Sequence, residues 1–72
     1  MKFLIVSSHK YGHSYWNGIS FGCKMKSVRY NSRKEAQSTI LHDVKPFMLV
    51  NNKLGINYPN YGVPYAERIE EE

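Results

Sequence analysis

Four apolar residues in succession, Phe3, Leu4, Ile5 and Val6, stand near the start of the chain, and polar residues follow at once. A short continuous apolar run predicts a strand over Lys2 to Ser8, buried on both faces or lying centrally in a sheet. The stretch SHKYGHSYWNG that comes next is polar and aromatic, and reads as a loop or frayed strand. Within it, Asn17-Gly18 matches a two-residue hairpin turn, because both residues tolerate positive φ; Trp16 would then face Ile19. From Ile19 the pattern alternates. Ile19, Phe21, Cys23 and Met25 share one side and Ser20, Gly22, Lys24 and Lys26 the other, as a half-buried strand requires. The alternation slips at Ser27 and resumes at Val28 and Tyr30 one residue out of register, predicting a bulge or tight turn around Lys26-Ser27.

The period then changes. Ser32 to Glu35 spells S-x-x-E, the capping box, and Ala36, Ile40, Leu41 and Val44 follow at helical spacing. A helix is expected over about 33–43, ended by Pro46, which lacks an N–H and crowds the preceding turn. The apolar run FMLV at 47–50 predicts a further buried strand, NNKLG a turn and INY a short returning strand. The pattern as a whole predicts an α+β fold: a small antiparallel sheet of about four to five strands with one central helix packed on a face. A parallel doubly wound sheet is disfavoured, since one helix cannot cover two faces.

With 72 residues, the chain allows one domain at most and buries only about 60% of the surface that its unfolded form exposes. Six tyrosines, three phenylalanines and a tryptophan must supply much of the burial. Charge adds a division that hydropathy does not show. The net charge is +4, but Glu67, Glu70, Glu71 and Glu72 hold four of the six acids. Residues 1–66 are therefore expected to form a single basic domain, and 67–72 an acidic C-terminal tail, one frayed helical turn or disordered. A basic body concentrates near polyanions or acidic protein surfaces. The single Cys23 rules out an internal disulfide, and the apolar run at 3–6 is far too short for a signal peptide or membrane span. These features point to a cytoplasmic protein with no membrane contact.

Five cations gather around the strand-to-helix junction VRYNSRKEAQ: Lys24, Lys26, Arg29, Arg33 and Lys34. They are the candidate partner-binding residues, since each cation that neutralises a phosphate releases counterions and favours salt-sensitive binding. Arg33 and Lys34 in the first helical turn oppose the helix dipole, which a structural role alone does not call for. The segment locally resembles the third strand, second helix and fourth strand of RNA-recognition-motif domains, with Val28-Arg29-Tyr30 ending the strand motif and Glu35-Ala36-Gln37 in the helix. That family's base-stacking aromatic positions fall here on Met25 and Ser27, and residues 9–18 leave no room for its first helix. The resemblance is confined to about a third of the chain and does not place it in that family.

Tyr58, Tyr61 and Tyr65, set among Pro59, Pro64 and Gly62, form a second candidate binding segment, because amphipathic rings on a stiffened chain suit an interface. The alternative is that this segment wraps back over the sheet. His9, His13, Cys23 and His42 lack the paired spacing of a zinc site, so no metal and no cofactor are expected. Two of the histidines with Lys10 or Lys45 are chemically adequate for acid-base work, yet nothing in their spacing selects it. Cys23, between Phe21 and Met25, reads as a small core residue.

The expectation is a non-enzymatic binding protein that inhibits or modulates a macromolecular partner, most naturally a protein that itself handles nucleic acid. In size and lack of motifs it resembles the small accessory proteins with which bacteriophages block host enzymes or defence complexes. The alternative is direct binding of RNA or single-stranded DNA through the basic junction. A homodimer through an exposed strand edge is a third reading.

Overall fold

The computed structural model describes residues 2–9, 12–53 and 62–69. Strand β1 (Lys2–His9) pairs with β2 (Gly12–Trp16), β2 with β3 (Phe21–Gly22), and β1 on its other side with β4 (Tyr65–Ile69). All pairings are antiparallel and the order is β3-β2-β1-β4. One helical element lies on the sheet, built from α1 (Arg33–Thr39), a π-helical stretch (Ile40–Val44) and α2 (Lys45–Lys53). The α+β architecture is therefore an antiparallel sheet with a helix on one face.

The apolar run of β1 sits where such a run belongs, in a central strand. Leu4, Ile5, Val6 and Ser7 are all buried. Ile5 pairs with Ala66 across β4, and its neighbour across β2 is Trp16, itself paired with Phe21. Phe21, Trp16, Ile5 and Ala66 thus form one row beneath the helix, and Ala36, Ile40 and Val44 close over it. Trp16 meets Phe21 and Phe47 edge-on, with centroids 5.4 and 5.2 Å away, the arrangement that aromatic quadrupoles favour. Buried Ser7 donates its hydroxyl to the Gly62 carbonyl at 2.8 Å. A side chain on Gly62 would put its Cβ 2.9 Å from the Ser8 carbonyl oxygen, so only glycine lets this segment approach β1.

Several local expectations change. The polar stretch after β1 holds β2, whose partner supplies the hydrogen bonds that its own sequence does not advertise. Asn17-Gly18 opens a four-residue loop: the Asn17 side chain accepts from the N–H groups of Ile19 and Ser20, and Gly18 takes φ +100°. Trp16 consequently pairs with Phe21, and Ile19 is 81% exposed. The strand expected from Ile19 to Met25 is only two residues long, because the chain tightens into a 3-10 turn at Lys24–Lys26. Cys23 and Met25 are accordingly exposed, outside the core.

Ser32 caps the helix as its sequence predicts, accepting from the Glu35 N–H at 3.2 Å, while Glu35 accepts from the Asn31 N–H at 3.1 Å. Pro46, however, does not end it. The preceding π turn, closed by the Lys45 N–H on the Ile40 carbonyl, supplies the slack that the proline needs, and the helix continues to Lys53. FMLV is thus helical: Phe47 and Met48 pack on the core, while Leu49 and Val50 are exposed. Past Ala66 the chain is strand as far as Ile69, so Glu67 and Arg68 lie in the sheet and not in a helical turn or disordered tail. The INY strand expected at 56–58 lies outside the described residues.

Candidate partner-binding surface

The basic junction is organised by one side chain. Ser27, buried at the end of the 3-10 turn, donates to the Lys24 carbonyl through its N–H at 3.1 Å and its hydroxyl at 2.5 Å. Arg29 then caps the turn: its guanidinium donates to the Lys24 carbonyl at 2.9 Å, to the Ser27 carbonyl at 2.8 Å and to the Ser27 hydroxyl. Its charge is committed to holding shape. Lys24 and Lys26 stand exposed on either side of Met25, which is 91% exposed. The Lys24 ammonium lies 6.0 Å from the Tyr15 ring centroid, at the outer reach of a cation-π contact.

Arg33 turns toward the opposite edge of the sheet. Its guanidinium carbon sits 5.2 Å from the Phe3 ring centroid, and Nη1 donates to the Ala66 carbonyl at 3.4 Å. Lys34 is exposed beside it on the first helical turn. The five cations named from sequence therefore fall into two groups, Lys24, Lys26 and Arg29 on the turn after β3, and Arg33 with Lys34 at the start of the helix. Tyr65 begins β4 and is 43% exposed; Tyr58 and Tyr61 lie outside the described residues.

The hairpin carries two serine-histidine hydrogen bonds, one on each face. Ser8 Oγ and His13 Nδ1 are 2.8 Å apart, and His9 Nε2 and Ser14 Oγ 2.9 Å. Both join neighbouring strands and serve as cross-strand pairs. Among the described residues, no three His, Cys, Asp or Glu side chains gather as a metal site would need. No helix among them is long and apolar enough to cross a membrane.

The alternation in the sequence places Met25 with the core, whereas in the fold it is 91% exposed. The register slip at Ser27 was the available signal, since a strand that breaks there need not have been a strand just before. A groove of about 430 Å³ between the helix and β4 leaves no mark in the sequence pattern, because it joins residues some thirty positions apart. Searches for a matching protein-family model, curated protein and solved structure found no match to the chain.

Proposed function

We propose that this chain is a small binding protein that inhibits or modulates a macromolecular partner by occupying part of its surface, with no chemistry of its own. The observation that carries this reading is the Lys24-Met25-Lys26 tip. A large apolar side chain in water gains by burial, and flanking cations select a pocket with an acidic rim. Because Arg29 and Ser27 already fix the turn, little ordering entropy remains to oppose docking. An apolar anchor between charges suits a protein pocket better than a phosphate backbone, which would call for cations alone. The finer reading, a phage-type inhibitor of a host nucleic-acid-handling or defence complex acting in the cytoplasm, is supported by the basic body and small size.

Direct binding of RNA or single-stranded DNA is the second reading, favoured by Lys24 beside Tyr15, an arrangement that could place a phosphate near a stacking ring. Pull-down from bacterial lysate, with and without nuclease, separates the two. A discrete protein retained after nuclease, and lost on Met25→Asp, supports inhibition. Recovery of nucleic acid that survives Met25→Ala and vanishes on Lys24→Ala/Lys26→Ala would replace it with the second reading. All three positions are exposed, so the variants leave the core intact.

A further inference from the structure

We propose that the groove between the helix and β4 is a strand-addition site for an extended peptide, acidic at both ends and apolar in its middle. This goes beyond the basic tip and does not depend on it. Among the described residues β4 pairs on one side only, with β1. The Phe3 N–H and carbonyl both bond Tyr30, at 2.9 Å each, on the side of β1 away from β4. Antiparallel ladders alternate, so Lys2, Leu4 and Val6 bond toward β4, and Ile5, like Phe3, bonds away from it. Ala66, opposite Ile5, must then turn its own N–H and carbonyl to the outer edge. The Arg33 guanidinium that reaches the Ala66 carbonyl does so at that edge, over a long 3.4 Å that a closer donor can displace.

Beside this edge the groove supplies side-chain recognition. Arg33 and Lys45 stand at the two ends of its helical wall with Ile40 and Leu41 between them, Val63 lies on the facing wall, and none of the described residues lining it is acidic. Leu41 is 59% and Val63 79% exposed. The two cations stand twelve positions apart along the helix, a rise of about 18 Å, which a strand of six to seven residues spans. In a strand alternate side chains share a face, so residues 1, 3, 5 and 7 of such a peptide meet the groove together. Cations at both ends call for carboxylates at 1 and 7, and the apolar middle for aliphatic residues at 3 and 5.

A second copy of β4 fits poorly. Pairing centred on Glu67 sets two glutamates face to face, and the described part of β4 carries only that one carboxylate, where the groove's two cations call for two. The occupant is therefore another polypeptide.

The test uses fluorescein-labelled Glu-Thr-Val-Thr-Ile-Thr-Glu and the intact chain. Saturable polarisation in the micromolar range is expected, weakened at least tenfold by Lys45→Glu, by Leu41→Glu and by N-methylating the peptide backbone at its central ladder position. The Ala66 amide resonance should shift on binding. Lys45 and Leu41 are exposed, and circular dichroism of each variant confirms the fold. Absence of binding at millimolar peptide overturns the proposal, as does affinity indifferent to N-methylation, which would mark simple charge attraction. Shifts confined to Lys24–Ser27 would also overturn it and assign the peptide to the basic tip. A doubled mass of the free protein, lost when β4 is altered, would give the edge to a second copy instead.

Discussion

At the scale of single residues, Tyr30 couples the junction to the helix. Burial of its phenol raises its pKa above the ordinary 10.0, with Asp43 and Glu35 pushing the same way and a hydrogen bond with Thr39 opposing. The unfolded chain, with a phenol at the ordinary value, loses the proton first as pH rises. Tyr30 therefore contributes stability in full below pH 10, and that contribution fades as pH climbs from there through the folded value. Tyr30→Phe should cost about 1 kcal/mol at neutral pH through the lost hydrogen bond. It should also flatten the decline above pH 10, read by urea unfolding at pH 8, 9, 10 and 11; parallel wild-type and variant curves would dismiss this account. Much at this scale is legible in sequence. The Ser32-Glu35 capping box is local: the Ser32 hydroxyl accepts from the Glu35 N–H as the spacing requires, while the Glu35 carboxylate reaches one residue past the cap, to the Asn31 N–H.

At the scale of elements, the helix carries the largest revision. Pro46 removes one N–H from an α-helix, and sequence rules count that as a stop. The π turn before it absorbs the defect, and packing supplies the reason to continue, because Phe47 completes the aromatic cluster with Trp16 and Phe21. Phe47→Ala should destabilise by about 3 kcal/mol, while Leu49→Ala, on the solvent side of the same run, should stay within about 0.5 kcal/mol. A strand at 47–50 would instead alternate, placing Phe47 and Leu49 on one face with comparable losses. Four consecutive apolar residues fit either period, which is why the run alone did not choose. The same ambiguity misled at Ile19 to Met25, where two turns of alternation came from a loop and a 3-10 turn, with only Phe21 and Gly22 in a strand.

At the scale of the whole molecule, the chain closes by pairing its two ends. β4 adds five paired residues to β1, including Glu67, Arg68 and Ile69 opposite Leu4, Phe3 and Lys2. Domains of this size hold on the order of 4–11 kcal/mol in all. Truncation after Ala66 should therefore remove several kcal/mol and lower the thermal midpoint by well over ten degrees, measured by circular dichroism. A dispensable acidic tail would lose nothing by the same cut. The two proposed surfaces also belong to this scale. The basic tip follows β3 at one edge of the sheet and the groove flanks β4 at the other, so the two surfaces lie apart on one molecule.

The sequence by itself determined what depends on neighbours along the chain: a central first strand from FLIV, a helix start at Ser32, a tight turn near Ser27, and an antiparallel α+β sandwich of sheet and helix. The five cations are neighbours along the chain but two groups in space, since folding spends Arg29 on the turn and carries Arg33 to β4. Tertiary structure alone decided where the helix ends, which strand takes the edge and which apolar side chains face water. Those outcomes turn on contacts between residues far apart in sequence, whose energies, a row of rings under a helix or a ladder between the two ends, outweigh the small local preferences that a pattern can reveal.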